Sequence, residues 1–228
     1  DALPIYIRPM EMKRDTQIGL SAIAMTGISK EIKRMLEMAR ENVDRSFQAV
    51  KDGSTALLPE VREREDYIDF LNKEISKYIS KIMVNESNPK DSQYMSALFK
   101  VCGNVERIGD HAMNICEYTK HIEEQGIKFS SEVLREIDEM RDICDKALTV
   151  LSQVKKESSF TIDEIAGLEQ QIDDMTEDYR KKQVDRMQQG LCSEEGCIIY
   201  SEMLTDFERI GDHILNIGQE MGMGKVGA

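Results

Sequence analysis

The phrase Glu106-Arg107-Ile108-Gly109-Asp110-His111-Ala112-Met113-Asn114-Ile115 returns 102 residues later as Glu208-Arg209-Ile210-Gly211-Asp212-His213-Ile214-Leu215-Asn216-Ile217, with eight of ten positions identical. A near-copy at that distance in a 228-residue chain means that a unit of about half its length has been duplicated, so the fold must hold two similar halves. The retained letters are two acids, a base, a glycine, a histidine and an asparagine. A helix kept for packing alone would retain mainly its apolar positions.

Apolar periodicity describes both halves as helical. Ile28, Ile32, Met35, Leu36, Ala39 and Val43 recur at helical spacing in a first helix from about Gln17 to Val50, closed by Asp52-Gly53-Ser54. A second, from about Leu58 to Val84, carries Val61, Ile68, Leu71, Ile75, Ile79 and Ile82; the break Asn85 to Pro89 follows. The third runs from about Asp91 to Glu124 and stops at Gly126. Three more follow the same plan, from about Ser131 to Lys156, Asp163 to Gln189 and Glu194 to Met221, with Ser193 placed to cap the last. The expected fold is all-α, two tandem pseudo-symmetric three-helix bundles over residues 17–126 and 127–228. Residues 1–16, with Pro4 and Pro9, read as an extended leading segment. Four prolines, no tryptophan and no strand pattern agree with that class.

A second phrase is also duplicated. Glu65-x-x-Ile68-Asp69 returns 104 residues later as Glu169-x-x-Ile172-Asp173, so each half carries two Glu-x-x-x-Asp pairs on neighbouring helices. A four-residue step turns a helix by about 40 degrees, which stacks the two acids of a pair on one face. Two adjacent helices can therefore present four carboxylates to one patch: Glu65, Asp69, Glu106 and Asp110 in the first half, Glu169, Asp173, Glu208 and Asp212 in the second. Such charge is unfavourable unless a cation neutralises it, and all-oxygen donors suit magnesium, manganese, zinc or ferrous iron. Counting round the helices from the apolar stripe sets the patch on the outer surface of the bundle, unlike a di-iron site in a bundle centre. The bland alternative is a solvated lattice of acids with Arg107 and Arg209.

His111 and His213 point about 100 degrees away from the acids they follow, which leaves them as ligands, as supports behind ligands or as exposed polar residues. Asn114 and Asn216, one turn beyond the aspartates, can offer a carbonyl or hold a carboxylate. Gly109 and Gly211 each cost a helix interior about 1 kcal/mol relative to alanine, and the expected reason is close approach of another helix. The fourteen methionines read as core filler.

With 30 basic against 43 acidic side chains, the net charge of −13 repels phosphate backbones and anionic membranes, and it attracts multivalent cations. Five cysteines, an odd number with no C-x-x-C pair, suggest neither a disulfide framework nor a zinc ribbon and fit a reducing cytosol. No stretch nears the roughly 18 apolar residues of a membrane span, so this chain is expected to be soluble.

Glu-Arg-Ile-Gly-Asp-His followed by Asn-Ile, paired with an upstream Glu-x-x-x-Asp helix and given twice, resembles the PhoU family of phosphate-uptake regulators across nearly the whole chain. The resemblance implies two similar three-helix bundles whose acid motifs bind multinuclear iron or zinc clusters at the surface. All eight acids named above occupy the matching positions. Two segments depart from the free-standing regulator. Asn88-Pro89-Lys90-Asp91-Ser92 stands where that protein usually has Gln-Pro and then Asp-Leu-Arg. Leu3-Pro4-Ile5-Tyr6-Ile7, with Glu31-Ile32-x-x-Met35, resembles the junction between the membrane part of bacterial sodium/phosphate cotransporters and their cytoplasmic PhoU-like tail.

The functional expectation is a metal-binding regulatory domain on the cytoplasmic side of the membrane, joined in cis to a transporter domain, with no nucleic-acid partner and with room for self-association. The alternative within the family is a free-standing regulator of phosphate transport and signalling. A carboxylate-bridged metal phosphohydrolase is the competing class, and it lacks a nucleophile paired with a base and a glycine-rich phosphate loop. No catalytic residue is assigned.

Overall fold

Small polar side chains and glycines set the ends of the elements. The computed structural model describes residues 20–153 and 160–223, and the leading segment 1–16 and the expected end of the fourth helix at Lys156 lie outside them. The first helix, α1 (Leu20–Asp52), gives way to a single 3-10 turn (Thr55–Leu57), where Ser54 in an extended conformation accepts from the Ala56 amide at 3.2 Å. Helix α2 (Leu58–Met83) starts with Pro59 in its first turn, where a missing N–H costs nothing. Asn88 caps α3 (Pro89–Gln125) through the Lys90 amide at 3.0 Å. Gly126, at φ 61, ends α3: its own amide reaches Glu123 O and the next amide, Ile127, reaches Ile122 O at 3.0 Å. That pairing satisfies carbonyls a helix end would otherwise leave open, and it needs the left-handed turn that glycine adopts without strain. Ser130 caps α4 (Ser131–Ser152) through Val133, α5 spans Phe160–Gln188, and Ser193 accepts from Gly196 at the head of α6 (Glu194–Met223). The described residues are helices and turns with no strand.

Within each half three helices pack together, and the halves meet along α3 against α6 and α1 against α4. One large core spans both halves, beside a small second cluster of Ala49, Leu58, Val61 and Cys116. Phe47 of α1 and Phe207 of α6, both fully buried, meet edge to face at 6.5 Å between ring centroids, so the inner layers of the two halves interlock. Met35, Met38, Met95, Met140 and Met203 are buried in the core as expected, whereas Met83 and Met187 are exposed, so the methionines are not all core filler. None of the described helices is long and apolar enough to cross a membrane.

The glycines of the duplicated phrase sit where two helices approach. A Cβ on Gly109 would lie 3.4 Å from Ile68 Cδ1 and 3.1 Å from Glu65 Oε2, and one on Gly211 would lie 2.9 Å from Ile172 Cγ2. The isoleucine of each Glu-x-x-Ile-Asp phrase therefore seats itself on the glycine of the partner phrase. That fit brings α2 against α3, and α5 against α6, at the level of the acids.

The structure corrects the cysteine expectation. Cys192 and Cys197 form a disulfide across the turn from α5 to α6, their Cα atoms 6.2 Å apart, while Cys102, Cys116 and Cys144 are free and buried. Gly190, at φ 66, ends α5 in a left-handed turn, and the disulfide closes the loop that follows with a C-x4-C spacing rather than C-x-x-C.

Candidate metal centre

In the first half, α2 supplies Glu65 and Asp69 while the neighbouring α3 supplies Glu106 and Asp110. The four form one electrostatic unit. Burial raises the Glu65 carboxyl to about 8, with Asp110, Glu106 and Asp69 adding to the shift; burial and then Asp110 raise Glu106 to about 7. Glu65 Oε2 is buried and receives no hydrogen bond. Asp110 is within bonding reach of Glu65, but two carboxylates can bond only when one carries a proton. Among the described residues, Asp69 alone of the set has a cation in direct contact, Lys73 Nζ at 2.6 Å on the exposed side of α2.

The second half places Glu169 and Asp173 on α5 and Asp212 on α6 so that one carboxylate oxygen from each lies within 4.8 Å of the others. Both α5 acids are raised, chiefly by burial and then by Asp173 and Asp212 (Glu169) or Asp212 and Glu208 (Asp173). Glu208 is close enough to act on Asp173, yet its carboxylate turns to Arg180 Nη2 at 3.3 Å. Arg209 Nη1 reaches Asp212 Oδ2 at 3.2 Å. The first four acids thus act on one another across α2 and α3, whereas in the second half Glu169, Asp173 and Asp212 converge and Glu208 is turned to Arg180.

A hard or borderline divalent cation fits this donor set. Hydrogen-bond donors do not saturate the first group, one oxygen is orphaned, and like charges converge, which is the condition under which a carboxylate cluster holds either protons or metal. Glu65, Asp69, Glu106 and Asp110 would hold the first ion or ions; Glu169, Asp173, Asp212 and, after release from Arg180, Glu208 would hold the second.

The histidines and asparagines of the duplicated phrase face the junction between the halves. His111 Nδ1 lies 2.8 Å from Asp206 Oδ1, Asn114 Nδ2 donates to the same oxygen at 3.2 Å, and the Tyr118 hydroxyl donates to Asp206 Oδ2 at 2.5 Å. The mirrored set is His213 Nδ1 to Asn104 Oδ1 at 3.0 Å, with Asn216 Nδ2 on that oxygen at 3.5 Å. The two imidazole rings stack, 5.5 Å apart at 25°. Burial, helped by the neighbouring His111, lowers His213 to about 4, so its ring is neutral and Nδ1–H donates to the amide oxygen. Neither Asp206 nor Asn104 is among the eight acids, so these contacts fasten α3 to α6 rather than hold a ligand in place.

Their partners, Asn104 and Asp206, escaped the sequence reading. They stand at equivalent positions two residues ahead of each duplicated Glu, and that register was a usable signal. Buried Glu136 was also missed: Arg186 grips it with both guanidinium nitrogens at 3.0 and 2.9 Å, and Tyr200 donates to it. An acid in line with Val133 and Met140 on an apolar stripe was its only sequence sign.

Comparison with known proteins agrees with the duplication. The PhoU domain pattern matches twice, over residues 32–119 and 135–221. A Thermotoga maritima protein described as phosphate-specific transport system accessory protein PhoU homolog 1 is 28% identical over 205 residues, covering 86% of this chain and 85% of that protein. The crystal structure of PhoU from Pseudomonas aeruginosa superposes with a TM-score of 0.83 at 19% identity, over 91% of this chain and 99% of that one. That of the phosphate transport system regulatory protein PhoU from Streptococcus pneumoniae gives 0.80 at 16% identity, over 91% and 98%. With two domain matches spanning most of its length and both carrying the duplicated acid motif, the chain belongs to the PhoU family.

Proposed function

We propose that this protein is an accessory regulator of a phosphate transport system whose two carboxylate clusters bind divalent metal ions, iron or zinc in the first place and magnesium or manganese as weaker fits. The regulatory part is supported by similarity over 85% of the length of a relative named for that accessory role. For the metal part, the observation that carries it is the first cluster, where Glu65 Oε2 is buried without a donor among three other acids. A cation there would take over the neutralisation that protons otherwise supply. The acids bind and orient, and no turnover is invoked.

The reading as the tail of a sodium/phosphate cotransporter rests largely on residues 1–16, outside the described part of the molecule. Similarity to the accessory protein favours a regulator acting in trans on a separate transporter. An upstream reading frame encoding apolar spans fused to this chain would reverse that preference.

In a host lacking the gene, expression of a phosphate-starvation reporter is expected to lose its response to external phosphate. The wild-type chain should restore it, and a variant with all eight acids replaced by alanine should not. An unchanged reporter in the deletion host would overturn the regulatory part, and full restoration by the eight-acid variant would overturn the role of metal.

A further inference from the structure

The disulfide lies at the α5–α6 turn, at one end of the second three-helix bundle, and its two sulfurs differ in access. Cys192 is half-buried and lines an open cleft of about 500 Å³ between the α3–α4 and α5–α6 turns, alongside Lys128 and Glu195, whereas Cys197 is 3% exposed in the first turn of α6. The other thiols do not compete. Burial raises Cys102 to about 12 and Cys116 to about 11, and raises Cys144 further, so none of the three presents a thiolate near neutral pH. We propose that Cys192 and Cys197 form a reversible thiol–disulfide site, in which Cys192 exchanges with a low-molecular-weight thiol entering the cleft and Cys197 resolves the mixed disulfide.

The exchange balances. In the reducing direction a small thiolate attacks the Cys192 sulfur, the Cys192–Cys197 bond breaks, and Cys197 leaves as thiolate and takes a proton. A second small thiolate then attacks the small-molecule sulfur of the mixed disulfide and releases Cys192. Two small thiols become one small disulfide, and the protein gains two electrons and two protons. The oxidising direction runs the same steps backwards with the small disulfide as oxidant.

The site is wired into the interior. Gln183 Nε2 donates to Cys192 Sγ at 3.7 Å, Arg186 Nε donates to Gln183 Oε1 at 3.0 Å, and Arg186 holds the buried Glu136 that Tyr200 also contacts. None of this has a counterpart in the first half: Ile75, Ile82 and Leu98 occupy the positions of Tyr179, Arg186 and Tyr200, and the α2–α3 turn contains no cysteine. These residues belong to one end of the second bundle alone, which sets the pair apart from the acids repeated in both halves.

The test equilibrates the native protein in glutathione buffers of graded ratio, quenches with acid, then unfolds it at neutral pH with an alkylating reagent and maps the label. Expected is joint loss of label from Cys192 and Cys197 as the buffer becomes oxidising, with Cys102, Cys116 and Cys144 labelled throughout. Retention of label on both residues at every ratio, or loss from one without the other, would overturn the pairing. A Cys197→Ser variant, checked for native helicity by circular dichroism, is expected to accumulate a glutathione adduct on Cys192 under oxidising conditions. A folded variant with no adduct would overturn the assignment of Cys192 as the exchanging sulfur.

Discussion

The first-half and second-half clusters use the same four acids in the same register but compensate their charge differently. Around Glu65 and Glu106 burial raises both carboxyls, and Lys73 touches Asp69 alone. Around Glu208 and Asp212, Arg180 and Arg209 take up the charge directly. Two substitutions on the α2/α5 faces account for part of this: Ser76 stands where Arg180 stands, and Lys73 where Glu177 stands. Duplicated acids therefore do not make duplicated surroundings. To take a cation, as proposed, the first cluster would have to give up protons and the second its arginine contacts.

The seam between the halves shows the same divergence and gives the largest expected effect on stability. Asp206 serves three donors, while Asn104 serves two. Asp206→Ala strands His111, Asn114 and Tyr118 in a part-buried region and is expected to cost about 2–4 kcal/mol in chemical denaturation. Asn104→Ala should cost less, about 1–2 kcal/mol. Equal costs would break the claim that the seam is lopsided.

Next in size is the pH response. Glu65 and Glu106 hold protons more tightly when folded, so the metal-free folded state binds more protons than the unfolded state from about pH 4.5 up to about 8. Stability of metal-free protein should fall as pH rises through that window, by on the order of 1–3 kcal/mol once solvent screening is counted. Glu65→Gln keeps the shape and removes the charge. It should raise the melting temperature of metal-free protein at pH 8, while Glu169→Gln leaves it nearly unchanged. A larger gain from Glu169→Gln would invert the comparison.

Packing beneath the acids sharpens it further. Gly211→Ala sets a methyl 2.9 Å from the branched stem of Ile172 and is expected to cost about 1–3 kcal/mol. At Gly109 the nearest atom is the Glu65 carboxylate end at 3.1 Å, which can move, so Gly109→Ala should cost about 1 kcal/mol or less yet disturb the first cluster. Thermal melts of both variants, read against metal content, separate the two effects. Smallest of all, Arg180→Ala removes a half-exposed bridge and should change stability by less than about 1 kcal/mol while tightening zinc binding at the second cluster. Weaker zinc binding in a titration would mean that Arg180 supports the site.

Local features were legible in the sequence for local reasons. Six helices, the stop at Gly126, the cap at Ser193 and the close approach at Gly109 and Gly211 follow from periodicity, conformational preference and the cost of glycine in a helix. The nearness of the acids on α2 to those on α3, and of those on α5 to Asp212, followed from duplicated spacing on neighbouring helices. What escaped depends on how distant segments meet. His111 finds its partner 95 residues away, on a helix of the other half, and no local rule sets that register. That Glu65 Oε2 lies buried without a donor was hidden for the same reason, since Glu65 and Glu169 lie in the same Glu-x-x-Ile-Asp phrase, are both half-buried and differ only in what packs around them. The disulfide was missed because it joins cysteines across a turn whose path Gly190 sets.

The most direct test of the account is elemental analysis of protein purified without chelator, for the wild type and for variants lacking Glu65, Asp69, Glu106 and Asp110, or Glu169, Asp173, Glu208 and Asp212, or both sets. The account predicts at least one equivalent of iron or zinc per wild-type chain, a partial loss in each four-acid variant and none in the eight-acid variant. Trace metal in the wild type, or metal retained after all eight acids are gone, would contradict it.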